Sequence, residues 1–238
     1  MAVALLYDLG KPYNIWHPLI MWNPHSVMLG GHSLPEEIQP VAVLFARTDG
    51  VYKNLPGCDV WDKSRDAMLW PGGCPVVAHP PCRLWGRLRH FAHSLPGEKD
   101  LAIFAVEQVR KFSGVLEHPF RSKLWEACHL PKPGERDAFG GFTLAMPQWW
   151  FGHRAEKATY FYIVGCEPED LPPVPLKLGE PDFVVQSRKR FNHRPHIPKR
   201  ERELTPLQMA EWLCEVARKC GTSKSRSKNV SKTVTTSG

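Results

Sequence analysis

No run in this sequence approaches the ~18 consecutive apolar residues of a membrane span, and its start lacks a basic stretch followed by an apolar block. The expectation is a soluble, cytoplasmic protein with no membrane partner. Cys-x-x-Cys is also missing. Seven cysteines form an odd set without regular spacing, which argues against a disulfide framework and fits a reducing compartment. His79, Cys82, His118 and Cys74 are metal-ligand types, yet no close pair among them has structural zinc spacing, so no metal is expected.

Net positive charge is confined to two places. The chain of 238 residues has a formal charge of +7, but residues 186–202 hold seven Lys/Arg against one Glu, and the tail 221–238 holds Lys224, Arg226, Lys228 and Lys232. Everything else is mildly acidic. Arg188, Lys189 and Arg190, interleaved with Phe191 and Asn192, suit a phosphate-binding edge, and read equally as a solvated basic loop. At 42% hydrophobic and 23% charged residues, the length bounds roughly one domain with extensions.

What is present is most concentrated over 76–82, Val-Val-Ala-His-Pro-Pro-Cys. A short apolar run delivers Cys82 on two prolines, each fixing its own φ and biasing its predecessor toward extended geometry. The thiol is thus presented stiffly at a strand end, the place where open α/β sheets bind ligands. A plain strand exit with a half-buried structural cysteine is the competing reading.

Residues 1–40 show neither helical nor strand period and read as an irregular arm. From 41 the pattern alternates. Strands are expected at 41–46, 58–62, 75–78 and 115–119, with a short helix from Val51 halted by Pro56-Gly57. Glu98 to Phe112 carries Leu101, Phe104, Ala105, Val109 and Phe112 at helical spacing. The aromatic stretches 149–152 and 159–165 suggest two strands, or a loop and a strand, at the sheet edge. Thr205-Pro206-Leu207-Gln208 opens a final helix with Leu207, Ala210, Leu213, Val216 and Ala217 on one face, and Gly221 is a suitable stop before a disordered tail 221–238. The fold expected is a single α/β domain over 41–220, Rossmann-like, with a mostly parallel sheet.

In a parallel βαβ unit Cys82 and Glu117 leave the same sheet edge, one crossover helix apart. A thiolate is a strong nucleophile if nearby positive charge lowers its pKa, and His79, Arg83, Arg87 and Arg89 lie close in sequence. A partly desolvated Glu117 could hold or protonate a ring nitrogen. The pair suits conjugate attack at carbon 6 of a pyrimidine. The alternative for Glu117-His118-Pro119 is a strand-ending salt bridge.

The order of these blocks resembles a diverged DNA (cytosine-5) methyltransferase, and more closely the small phage-encoded proteins described as cytosine methyltransferase-like. Pro81-Cys82 resembles the catalytic proline-cysteine motif, and Leu116-Glu117-His118-Pro119 stands where the family has glutamate-asparagine. Phe151-Gly152 through Lys157-Ala158-Thr159 to Gly165 resembles the block contacting the flipped base, and Arg202-Glu203-Leu204-Thr205-Pro206 the block opening a late helix.

The resemblance, covering 41 to about 218, implies a methyltransferase with Cys82, Glu117 and Lys157 as catalytic residues. It implies S-adenosylmethionine as cofactor, bound near Phe45, Asp49, Gly50, Asp59, Asp62 and Pro80. DNA is the implied partner, contacted by Arg83, Arg87, Arg89, Arg154, Arg188, Lys189 and Arg190, in a bacterial host's cytoplasm if the chain is phage-encoded.

The departures bear on the donor and target. Only Gly50 remains of the family's first-loop glycines, Lys157 and Thr159 occupy the places of two arginines, and His118 replaces asparagine. The 36 residues between Gly165 and Arg202 are too few for a large target-recognition domain. Two other readings stay open: the same fold acting on a free nucleotide or with another donor, and a non-catalytic nucleic-acid-binding protein.

Overall fold

The apolar run at 41–46 forms a strand because five of its six residues are buried, as they would be in a sheet covered on both faces. In this computed structural model residues 38–185 and 193–234 are described, with side chains to 222. They fall within Ile38–Gly238, one of two units, the other being Met1–Glu37. Residues 1–37 of the arm expected over 1–40, and Arg188, Lys189 and Arg190, lie outside the described residues.

Six strands build one sheet: β1 (Val41–Ala46), β2 (Cys58–Asp62), β3 (Val76–Ala78), β4 (Gly114–Pro119), β5 (Phe142–Pro147) and β6 (Ala158–Val164), in the order β2-β1-β3-β4-β6-β5. β1 to β4 run parallel; β6 pairs antiparallel with both β4 and β5. The architecture is mixed α/β with a mostly parallel sheet.

Alternate residues feed two cores. Val41, Val43, Val77 and Val115 meet Met209, Leu213 and Val216 of the last helix. Ala42, Leu44, Val76, Ala78 and Leu116 meet Ala102, Ala105, Val106 and Val109 of α1 (Glu98–Phe112). The buried face of α1 is therefore carried by small residues, with Leu101, Phe104 and Phe112 half-buried at its flanks. Glu98 and Asp100 in its first turn and Arg110 and Lys111 in its last complement the helix dipole. Gly114 enters β4 at φ 125°, with the Val76 backbone where a Cβ would stand.

Two short helices, α2 (Leu124–Ala127) and α3 (Lys199–Arg202), precede α4 (Leu207–Val234). α4 runs through Gly221, correcting the expected stop and the wholly disordered tail. Gly221 is helical because its missing Cβ leaves room for the Pro75 ring. Leu207 is 52% exposed, and the buried stripe starts at Met209. Cys214 and Cys220 of this helix face Cys58 at 3.4 Å and Cys166 at 2.8 Å, joining it to the β2 edge of the sheet and to the segment after β6.

The aromatic stretches are a loop and a strand, one of the two expected forms, and the second correction concerns only their place at the sheet edge. Residues Gln148–Phe151 form a 3-10 turn, and β6 lies inside the sheet because β5, unforeseen in the sequence, takes the edge. β6 is buried at five of seven positions, as an interior strand should be. Among the described residues no helix is long and apolar enough to cross a membrane.

The topology positions the site. β1, β3 and β4 end on one edge, and β6 begins there, with Thr159 paired to Pro119. β1 sends the chain to β2 on one side and β3 lies on the other, creating a crevice at a topological switch point.

Candidate active site

His79 continues β3 by donating its backbone N–H to Leu44 O at 3.0 Å. Pro80 is buried, Pro81 half-buried, and Cys82 exposed. The turn closes when Trp85 and Gly86 donate to Cys82 O at 3.0 and 2.8 Å. Removal of solvent around the sulfur and the Glu117 charge push the Cys82 thiol up, while Lys157 opposes them. This direction is the reverse of the lowering expected from cations near Cys82 in sequence. Arg83 pairs bidentately with Glu98 at the start of α1, and His79 is engaged elsewhere.

Glu117 is the best-defined group. Burial pushes its pKa up, but the hydrogen bond from His79 and the charge of Lys157 outweigh it, leaving the carboxyl at about 2. His79 Nδ1 lies 3.2 Å from Oε2, and Gln148 Nε2 donates to Oε1 at 2.7 Å. Behind His79, the buried Tyr52 hydroxyl sits 2.7 Å from Nε2. Behind Gln148, Thr159 Oγ1 accepts at 3.1 Å and donates to Lys157 O at 2.9 Å. Glu117 therefore stands ready as an ionised acceptor, contrary to the protonated form that burial alone would favour.

His118 lies fully buried, with Nδ1 2.7 Å from Ser122 Oγ. Burial lowers its pKa to about 4, so it is neutral near pH 7, with the Pro81 carbonyl acting in the opposite direction. Lys157 holds φ 40°, a left-handed conformation costly for a side chain with a Cβ, and its charge acts on both Cys82 and Glu117. The three residues expected to be catalytic are brought together.

The residues expected to hold S-adenosylmethionine are committed to other partners. Asp62 is 2% exposed, pairs with Lys53 at 2.8 Å and accepts from Ser64 N and Oγ. Asp59 accepts from Arg65 at 2.5 Å and from Trp61 Nε1 at 2.7 Å, and Arg65 covers the Trp61 ring at 3.9 Å. Asp49 takes Arg47 at 2.9 Å, which also reaches Glu203 at 3.2 Å. The Arg47 carbonyl stands 3.0 Å from where a Cβ on Gly50 would lie, so Gly50 opens no cradle. Phe45 sits at a bulge with φ 60° and meets Phe104 edge-on. Of these carboxylates only Asp62 is buried within its own pairings; Asp49 and Asp59 stay about half exposed, with lone pairs beyond those their arginines use.

The expected nucleic-acid contacts divide. Arg87 and Arg89 lie on the loop after Cys82, beside Leu88, Leu95 and Phe91, the last 84% exposed. Arg83 is drawn onto Glu98, and Arg154 onto Glu201 at 2.8 Å while stacking over Phe183. Among the described residues no group of three His, Cys, Asp or Glu is placed to hold a metal ion.

Tyr52 and Gln148 were not foreseen as site residues, and His79 was foreseen only as a cation. The signal for Gln148 was a single polar residue inside the apolar run 144–151; Tyr52 had none. Comparison of the chain with protein-family models, curated proteins and solved structures finds no match.

Proposed function

We propose that the protein is a pyrimidine-modifying enzyme of the cytosine-5 methyltransferase type, with a Rossmann-like domain, acting on DNA through Cys82. One observation carries this reading: adjacent parallel strands deliver a prolyl-cysteine turn and an ionised glutamate to one edge, close enough for the Glu117 charge to act on the thiol. A target base in duplex DNA leaves the stack to reach Cys82. Sulfur adds to carbon 6, and the displaced ring electrons make carbon 5 nucleophilic. The proton lost from sulfur balances the one gained at N3, with Glu117 as carrier and Lys157 compensating its charge. Arg87 and Arg89 are the candidate phosphate contacts.

The donor half is separate. The family resemblance assigns S-adenosylmethionine, but the burial of Asp62 on Lys53 takes one of the expected acidic residues out of such a site, and the alternative of another donor stays beside it. Titration calorimetry with S-adenosylmethionine tests this independently, heat on binding supporting it and silence counting against it.

The covalent half is tested without any donor. Addition at carbon 6 followed by protonation at carbon 5 and elimination exchanges the C5 hydrogen with solvent. Oligonucleotide incubated in heavy water should gain deuterium at cytosine C5, read by mass spectrometry. Cys82→Ser should abolish the gain; no exchange with the wild-type protein would exclude the reaction.

A further inference from the structure

A carboxylate only accepts hydrogen bonds, so each group facing Glu117 must turn a donor toward it. Two do, one per oxygen. On Oε2, His79 presents Nδ1, and the Tyr52 hydroxyl 2.7 Å from Nε2 fixes the ring behind it; with a proton on Nδ1 the ring donates to Glu117. On Oε1, the fully buried Gln148 turns its amide nitrogen to Glu117 and spends its second hydrogen on Thr159. Its own carbonyl oxygen is then buried without a partner. Such an orphaned acceptor is unfavourable, and the demand of Glu117 for a donor imposes it.

We infer that His79 and Gln148 are positioning residues that hold the Glu117 carboxylate in its working orientation, with Tyr52 and Thr159 fixing them in turn. The inference rests on the proposed role of Glu117. The two clamps come from separate parts of the fold, His79 after β3 and Gln148 after β5, so the carboxylate is held from both sides of β4. Its second lone pairs remain for substrate donors. The other charged or titratable groups facing this carboxylate are Lys157 before β6, His118 beside it on β4, and Cys82; none is a donor in hydrogen-bond contact with it in the resting site.

Two measurements on the full chain separate this inference from the function it serves. Carboxyl 13C NMR, with the Glu117 signal assigned by Glu117→Gln, follows ionisation on acidification. The wild-type signal should stay ionised to about 2, whereas in His79→Ala and Gln148→Ala it should titrate closer to the ordinary carboxylate range. His79→Gln, whose amide reaches the same oxygen, should restore part of the shift. In the deuterium-exchange assay the alanine variants should lose roughly 10- to 100-fold in kcat, the scale of a hydrogen bond to a charged group, with KM little changed.

Unchanged Glu117 titration in both folded variants overturns the inference. Should the alanine variants fail to fold, Tyr52→Phe and His79→Gln make the same comparison with smaller changes in volume. If the wild-type protein exchanges no C5 hydrogen, the proposed function fails, and the NMR arm still decides whether these two residues hold the carboxylate.

Discussion

Glu117 and His118 are neighbours on β4 whose side chains go to opposite faces, and burial pushes both toward neutrality. For Glu117 the His79 hydrogen bond and the Lys157 charge outweigh burial and it ionises at about 2; for His118, against Trp125, burial outweighs the Glu117 charge and the Pro81 carbonyl and it falls to about 4. Both shifts make the protein acid-sensitive, in separate windows. Unfolded His118 takes its proton near 6.5 but the folded residue waits until about 4, so stability should fall across that interval. Glu117 acts lower, between its ordinary 4.5 and about 2. Urea midpoints against pH should lose the upper slope in His118→Gln and the lower in Glu117→Gln; an unaltered profile in either would refute that assignment. The thiol offers a second check. Removing the Glu117 charge lowers the Cys82 pKa, so Glu117→Gln should speed iodoacetamide alkylation of Cys82 at fixed pH, and an equal rate would mean that the charge does not act there. Pro81-Cys82 and Glu117 were legible as a pair from their strand exits. Tyr52 and Gln148 were not, because their partners stand 27 and 31 residues away in sequence.

α1 was readable to its ends at Glu98 and Phe112, since its periodicity and terminal charges agree. α4 was readable at its start only. A glycine inside a helix is ordinarily unfavourable by about 1 kcal/mol relative to alanine, which made Gly221 look like a stop; the Pro75 ring against it reverses the argument. Gly221→Ala should therefore lower the melting temperature where propensity alone expects a rise, and differential scanning calorimetry distinguishes the two signs. Leu213, buried against the sheet, should cost about 2–5 kcal/mol on truncation to alanine. A guanidinium denaturation series measures it, and a loss under 1 kcal/mol would place the residue in a site that collapses readily. β5 escaped notice because its outer positions are half-exposed and its run Phe-Thr-Leu-Ala-Met-Pro shows no clean alternation.

Over the whole molecule the charge is uneven, and binding to DNA should reflect that. Replacing Arg188, Lys189 and Arg190 with glutamine should lower the slope of log affinity against log salt by about 2–3. Replacing Arg154 should change it less, since Glu201 already neutralises that guanidinium. Equal effects in filter binding across a salt series would remove the basic segment from the interface.

The sequence by itself determined the local structure: short apolar strands, one helix whose terminal charges match its dipole, a cysteine stiffened by two prolines, and a glutamate at the next strand exit. Each depends on residues within a few positions of one another, where backbone restriction and periodicity act directly. Tertiary structure alone decided what those groups are able to do. It raised the Cys82 thiol through local burial and a nearby carboxylate, kept Glu117 ionised through the His79 hydrogen bond and the Lys157 charge, and engaged the acidic residues read as a cofactor site with Lys53, Arg65 and Arg47. Protonation and hydrogen bonding depend on what lies within a few ångströms, and in this sheet those neighbours come from across the chain.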